Sequence, residues 1–164
     1  MMHKDHVIRE DDRRLLRRAV EMAMEGIRNG GGPFGAVILR NGEVIAEAHN
    51  RVVLDRDPTA HAEIQAIRLA ATKLGTHDLS DCILYSSCEP CPMCLGALYW
   101  AGIKRVVFAC DRRDAEKAGF SDKLIYEEIA LDPSFRKIDF LRVADVGGDE
   151  AFARWEDLED KVRY

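Results

Sequence analysis

The sequence of 164 residues contains no long hydrophobic run, and its apolar stretches fall well short of the roughly 18 residues that a membrane-spanning helix needs. Its first residues, M-M-H-K-D-H-V-I-R-E-D-D-R-R, include neither the apolar core nor the small-residue cleavage site of a secretory signal. Internal repeats, low-complexity tracts and interdomain linkers are missing as well. We therefore predict one domain over residues 1–164, located in the cytoplasm and without a membrane partner.

An excess of basic residues is also missing. The 24 lysines and arginines are outnumbered by 29 acidic residues, so the formal net charge is −5. Proteins that bind phosphate backbones usually carry a basic face. The run D-D-R-R-L-L-R-R mixes its arginines with acids and apolar positions, which is typical of a solvated helix face. We expect no nucleic-acid partner and predict a small neutral substrate.

Cysteines are few and odd in number, which argues against the disulfide framework of a secreted protein. All five lie between residues 82 and 110. Cys82 and Cys110 are predicted to be small core residues. The other three belong to C-E-P-C-P-M-C, residues 88–94, where reduced thiols or thiolate ligands fit better than disulfides.

Apolar periodicity in the first half of the chain predicts a helix, a hairpin and a second helix. Apolar positions at helical spacing indicate an amphipathic helix over residues 11–29. Asn41 and Gly42, between two β-rich runs, are the strongest short-range hairpin signal. The Asp-Pro-Thr sequence at residues 57–59 suits a helix start, and Gly75 closes the helical run that follows.

The second half begins with a strand, a helix and a strand over residues 82–86, 95–102 and 105–109. This order forms a crossover unit, so the two strands are predicted to be parallel. Downstream, the pattern predicts a helix, a last strand and a terminal helix over residues 121–130, 138–143 and 149–162. The predicted fold is three-layer α/β/α, with a mixed five-stranded sheet and helices on both faces.

A metal site is predicted from residues at the starts of two helices. A catalytic zinc ion takes three protein ligands and leaves a position for water, and His61, Cys91 and Cys94 supply the three. Glu63 follows His61 by two residues, and residues two apart in a helix interior do not face each other. Both side chains can therefore face one site only from the N-terminal end of a helix. Glu63 is not itself a ligand in this hypothesis, and it transfers protons between water and substrate.

Other metal and redox sites fit the same residues less well. The spacing C-x-x-C-x-x-C begins an iron–sulfur motif, but Cys94 is followed by L-G-A-L and not by the rest of that motif. A closed structural zinc site with Cys88 as fourth ligand, or a non-catalytic zinc-binding module, would leave Glu63 without a role. A redox pair at Cys91 and Cys94 would not account for His61.

His-x-Glu followed by Pro-Cys-x-x-Cys is the signature of the zinc nucleobase deaminases, and the chain resembles the bacterial guanine deaminases of the cytidine-deaminase fold. The resemblance runs from the first helix to the last residue. It is carried by Asn50 and by the segments G-G-P-F-G-A-V-I (31–38), D-P-T-A-H-A-E-I (57–64), D-C-I-L-Y-S-S-C-E-P-C-P-M-C-L-G-A-L-Y-W-A (81–101), A-G-F-S-D (118–122) and R-Y at the end.

The resemblance implies one zinc ion per subunit, held by His61, Cys91 and Cys94, with Glu63 as the proton carrier. The substrate-binding residues that it implies are Phe34, Asn50, Ala62, Trp100, Asp122 and Tyr164. It also implies a homodimer in which the C-terminal helix and tail, residues 148–164, are exchanged so that Tyr164 closes the partner's pocket.

The reaction implied by the resemblance is the hydrolysis of guanine to xanthine and ammonia, a step of purine metabolism. A carboxylate such as Asp122 can accept hydrogen bonds from N1–H and the 2-amino group of guanine, and adenine lacks that N1–H. Deamination of another base or nucleoside, such as guanosine, cytosine or adenosine in tRNA, is the alternative within the same fold.

Overall fold

The computed structural model describes residues 7–164, so the first six residues of the predicted domain lie outside the described part. The chain divides after Asp122 into two compact units, the second of which is Lys123–Tyr164. A single domain over residues 1–164 stays a prediction. None of the helices in residues 7–164 combines the length and apolar character of a membrane span.

The first unit alternates helices and strands. Its elements are α1 (Glu10–Arg28), β1 (Gly35–Arg40), β2 (Glu43–His49), α2 (Val52–Asp55), α3 (Ala62–Leu74), β3 (Cys82–Cys88), α4 (Pro92–Trp100), β4 (Arg105–Cys110) and α5 (Arg112–Lys117). The second unit contains α6 (Lys123–Ile129), a 3₁₀ turn (Pro133–Phe135) and α7 (Gly148–Glu156). The short helices α2 and α5 were not predicted.

The sheet has the strand order β2-β1-β3-β4. β1 pairs antiparallel with both β2 and β3, and β3 pairs parallel with β4 around the crossover helix α4, as predicted. The hairpin between β1 and β2 turns at Asn41 and Gly42, whose φ angles of 51° and 84° are those of the left-handed region. An asparagine followed by a glycine adopts this geometry with little strain, which is why the pair predicted the turn.

The sheet has four strands, so the prediction of five is wrong. Residues 138–143, predicted as the last strand, form no strand and pair with none of the strands in residues 7–164. The segment has the β-branched and aromatic composition of a strand, but composition alone does not form a strand without a partner ladder. The predicted terminal helix also ends early, at Glu156.

Helices cover both faces of the sheet. On one face, Leu15 and Ala19 of α1 pack against Val37 and Tyr85. A Cβ atom on Gly35 would lie 2.1 Å from the backbone oxygen of Ala19, so only glycine allows α1 to approach β1 this closely.

On the opposite face, α3 contacts the sheet through Ala62, Ala66 and Ala70, each of them fully buried. Leu98 of α4 belongs to the same cluster. The three-layer α/β/α arrangement is therefore confirmed for the first unit.

One buried charge connects α1 to the centre of the sheet. Asp12 accepts hydrogen bonds from the Tyr85 hydroxyl at 2.8 Å, from Nη2 of Arg105 at 2.7 Å and from the backbone N–H of Arg9 at 2.9 Å. Burial alone would raise the pKa of Asp12, but these donors hold it below its ordinary value. Burial and the hydrogen bond to Asp12 also raise the pKa of Tyr85 to about 12.

We expect Asp12→Asn to lower the free energy of unfolding by about 2 kcal/mol at pH 7, because Arg105 and Tyr85 lose their charged acceptor. The folded-state pKa of Asp12 is depressed, so its contribution is present above about pH 4 and disappears as the pH falls through that lowered pKa. Urea unfolding of metal-free protein at neutral and acidic pH measures both effects.

The control is Asp11→Asn, at an exposed neighbouring position, which should change the free energy of unfolding by less than about 0.5 kcal/mol. An equal loss in the two variants would contradict this role for Asp12.

Candidate active site

The first turns of α3 and α4 bring the predicted ligands together. His61 has the extended backbone of an N-cap residue, and Ala62 and Glu63 are the first two residues of α3. Cys91 caps α4 in the same way, with Pro92 at its first helical position and Cys94 in its first turn. Proline is suited to that position because its ring fixes φ at a helical value and because a backbone N–H there would have no acceptor within the helix.

The Asp-Pro-Thr signal lies just outside α3 and does not cap it. The Thr59 backbone N–H donates to Oδ1 of Asp57 at 2.8 Å, so these residues form a turn of their own. The prediction that His61 and Glu63 lie at the N-terminal end of a helix is confirmed, although the cap is His61 itself.

The three ligand atoms have the spacing of a zinc site. Nδ1 of His61 lies 3.5 Å from Sγ of Cys91 and 3.6 Å from Sγ of Cys94. Tetrahedral bonds of about 2.3 Å to sulfur and about 2.0–2.1 Å to nitrogen place a sulfur and a nitrogen ligand about 3.6 Å apart. All three ligand atoms lie within 4.8 Å of one another. His61, Cys91 and Cys94 therefore fit a zinc ion without rearrangement.

Hydrogen bonds between the ligands favour an anionic sulfur at Cys91 and a protonated one at Cys94. Hydrogen bonding from Cys94 lowers the pKa of the Cys91 thiol to about 4, with a further contribution from His61, and the same bond raises the pKa of Cys94. The hydrogen bond to Cys91 also raises the pKa of His61. The partial positive charge at the N-terminus of α4 also stabilises a thiolate at Cys91.

Glu63 lies beside the three ligands in a buried position, with only 5% of its surface exposed. Its Oε1 accepts a hydrogen bond from the Ser86 hydroxyl at 3.2 Å, and its Oε2 lies 3.5 Å from Sγ of Cys94. Burial raises the pKa of this carboxyl group above its ordinary value. A buried acid with a raised pKa next to a metal site has the properties of a general acid–base catalyst.

Cys88 is not part of the metal-ligand group. It is buried at the end of β3, its thiol lies 3.6 Å from the backbone oxygen of Asp111, and burial raises its pKa to about 11. Cys82 is buried as predicted, but Cys110 is exposed, so its prediction as a core residue is wrong. Cys110 ends β4, the last strand of the sheet.

Two of the predicted substrate-binding residues, Asn50 and Ala62, are buried in the first unit. Asn50 is buried, and its Oδ1 accepts hydrogen bonds from the backbone N–H groups of Gly32 and Val52. Its Nδ2 group is therefore the one that can donate to a ligand. Ala62, between His61 and Glu63, is fully buried. Contact with a substrate through these residues stays a prediction.

The loop that contains Asp122 is fixed against the loop that contains Phe34. The Phe34 and Phe120 rings meet edge to face, with centroids 5.0 Å apart. Burial raises the pKa of the Asp122 carboxyl group, and the negative charge of Cys91 raises it further. Asp122 is thus within electrostatic reach of the metal ligands.

Trp100 and Tyr164 are not brought to this group within the first unit. Trp100 ends α4, six residues after Cys94 and about 9 Å further along the helix axis, and it is 70% exposed. Tyr164 belongs to the second unit and is 79% exposed. Their roles at a substrate pocket stay predictions.

Sequence reasoning assigned no role to Ser86 or Phe120. Phe120 lies within the A-G-F-S-D segment, and its contact with Phe34 depends on the folded positions of two distant loops. Ser86 could have been noticed as a polar residue within a largely apolar strand, on the face where Leu84 packs against α3.

Comparison with known proteins agrees with this geometry. Residues 9–110 match the family model of the cytidine and deoxycytidylate deaminase zinc-binding region. The chain belongs to this family. The matched region contains all three metal ligands, Glu63 and Ser86.

Relatives with known activities include guanine deaminases. The guanine deaminase of Bacillus subtilis is 51% identical over 92% of this chain and 97% of its own length. The X-ray structure of that enzyme superposes with a TM-score of 0.90, covering 96% of this chain and 99% of that one. The guanine deaminase of Nitrosomonas europaea, 38% identical, gives a TM-score of 0.66 over 72% of this chain and 68% of its own.

A tRNA-specific adenosine deaminase of Aquifex aeolicus is also similar. It is 44% identical over 58% of this chain and 63% of its own length. The match to the Bacillus enzyme therefore extends over much more of the chain than the match to this tRNA-modifying relative.

We expect Cys91→Ser to weaken zinc binding by at least about 100-fold, because it removes a thiolate from the three-residue set. Cys88→Ser, the same substitution three residues earlier, should retain about one zinc ion per chain. Metal analysis of the purified proteins, followed by titration with a chelator, measures both. Loss of zinc from Cys88→Ser would make Cys88 a fourth ligand and support a closed structural site.

Proposed function

We propose that this protein hydrolyses guanine to xanthine and ammonia, as a step of purine breakdown in the cytoplasm. The observation that carries the proposal is the placement of a buried Glu63 beside a zinc-compatible set of ligands, in a chain that matches a guanine deaminase over almost its whole length.

When bound by His61, Cys91 and Cys94, a zinc ion supplies Lewis-acid activation of water. Glu63 takes the proton from the attacking water as a carbon–oxygen bond forms at C2 of guanine. It delivers this proton to the adjacent ring nitrogen. It then takes the proton of the new C2 hydroxyl group and delivers it to the departing amine, so that the carbon–nitrogen bond breaks, a carbonyl group forms at C2 and ammonia leaves. The raised pKa of Glu63 suits a group that must both accept and release a proton.

Recognition of the base falls to residues around this carboxyl group. Asp122 accepts hydrogen bonds from the donors of guanine, N1–H and the 2-amino group, while Nδ2 of Asn50 donates to an acceptor of the purine. Phe34 offers an aromatic face to the flat ring system, and its contact with Phe120 fixes its orientation. Ala62 leaves room for the ring beside Glu63.

The zinc-loaded protein should release ammonia from guanine and not from guanosine, adenine or cytosine offered side by side. Glu63→Gln should keep its zinc and lose turnover by at least about 1,000-fold, since it keeps its shape but cannot carry a proton. Coupled ammonia assays with metal analysis of both proteins test this. Preference for guanosine or cytosine would preserve the zinc chemistry but remove the proposed role of Asp122. Undiminished activity in Glu63→Gln would remove Glu63 from the reaction.

We also propose that the protein is a homodimer that exchanges residues 148–164. No residue of Lys123–Tyr164 is buried, and this segment exposes large apolar side chains that include Phe152 and Val162. In the first unit, the outer edge of β4 pairs with no other strand of residues 7–164. Phe108 of β4 and Tyr99 of the preceding helix α4 are both exposed. Exposed apolar surface of this extent favours association with a second copy. In the exchanged dimer, Tyr164 closes the partner's pocket and Trp100 contributes an aromatic wall.

Mixed dimers test the exchange directly. A Glu63→Gln chain with an intact tail is combined with a chain that lacks Tyr164, and each is inactive or strongly impaired alone. If tails are exchanged, each mixed dimer has one complete site, so random mixing should restore about one quarter of wild-type activity. If each tail serves its own chain, mixing restores nothing. Sedimentation of every sample serves as the control, and a monomer would contradict the dimer.

A further inference from the structure

We propose that Ser86 is a positioning residue that holds the Glu63 carboxyl group in its reactive orientation. The inference rests on the proposed function, because it concerns the group that carries the proton in that reaction. It assigns a role to a side chain on β3, an element that contributes none of the metal ligands.

The contact is between two buried side chains. Ser86 has 1% of its surface exposed and donates its hydroxyl hydrogen to Oε1 of Glu63 at 3.2 Å. β3 is an interior strand, and Ser86 is aligned with Ala36 on one side and with Phe108 on the other. The backbone of Ser86 is therefore held by the ladders of both neighbouring strands.

The second oxygen of Glu63 has a different neighbour, Sγ of Cys94, at 3.5 Å. A cysteine that binds a metal does so as a thiolate and has no hydrogen to donate. In the metal-bound state, the Ser86 hydroxyl group is then the side-chain donor that remains to orient Glu63. With Oε1 held by Ser86, Oε2 is the atom left to face water and substrate.

A hydroxyl group also suits both protonation states of the carboxyl group. It donates to a carboxylate, and after rotation about its C–O bond it accepts from a carboxylic acid. Glu63 can therefore keep the same partner before and after it takes up a proton. An alanine at this position offers neither interaction and leaves a buried carboxyl oxygen without its side-chain partner.

The adjacent Ser87 provides a matched control. It is buried as well, but neighbouring side chains of a strand point to opposite faces, and its hydroxyl oxygen accepts from the Gly35 backbone N–H at 2.9 Å. Ser86→Ala and Ser87→Ala each remove one buried hydroxyl group from the same strand. Only the first removes a partner of Glu63.

The kinetic experiment compares wild type, Ser86→Ala, Ser86→Thr and Ser87→Ala with guanine as substrate. We expect Ser86→Ala to lower kcat about 10- to 100-fold while KM changes less than about threefold and zinc content is unchanged. Ser86→Thr, which restores a hydroxyl group, should recover most of kcat. Ser87→Ala should lower the Tm but keep kcat within about threefold of wild type. Equal kcat in Ser86→Ala and wild type, or equal losses in Ser86→Ala and Ser87→Ala, would overturn the proposal.

A crystal structure of zinc-loaded Ser86→Ala gives a readout that does not depend on turnover. The Glu63 carboxyl group should rotate away from its wild-type position, or occupy more than one, while His61 and the two cysteines stay in place. An unchanged Glu63 would overturn the proposal. If wild type does not deaminate guanine, the proposed function fails, and this structural comparison still decides the role of Ser86.

Discussion

The active site depends on the relative position of two helix starts. His61 and Cys91 are separated by 30 residues in the chain, yet their ligand atoms lie 3.5 Å apart because each residue caps a helix at the same side of the sheet. A cap residue is extended and immediately followed by helical backbone, so its side chain has a narrow range of directions. The sheet beneath α3 and α4 positions the two helix starts so that their side chains form one metal site.

The same arrangement explains why a carboxylic acid can be buried here. Glu63 is at the second position of α3, where unpaired backbone N–H groups and the helix dipole favour negative charge, while the surrounding apolar layer disfavours it. Burial has the larger effect, so the pKa of this shielded carboxyl group is raised. The first turn of α3 thus carries one metal ligand, His61, and the proposed proton carrier, Glu63, and the strand behind that turn supplies the hydrogen-bond partner of Glu63.

Much of the fold and of the metal site was predictable from the sequence, because short local motifs determine them. The hairpin at Asn41-Gly42, the crossover around α4 and the metal ligands with Glu63 all follow from short motifs whose backbone requirements are strict. The absence of a fifth strand was not predictable, because a strand needs a partner as well as composition, and residues 138–143 have the composition alone. The contacts of Ser86 and Phe120 were not predicted either. They join residues that are 23 and 86 positions apart in the sequence (86 minus 63, and 120 minus 34).

The alanine face of α3 has a consequence for how this protein can change during evolution. Ala62, Ala66 and Ala70 let the helix lie at the shortest distance from the sheet, and each has no exposed surface. Interiors are packed as densely as organic crystals, so one added methylene group would push the helix outward. Such a shift would move His61 and Glu63 together with the helix. A core of larger side chains often tolerates exchanges of one apolar residue for another, but these three positions do not. The spacing of His61 and Glu63 from the other ligands therefore depends on keeping the three alanines.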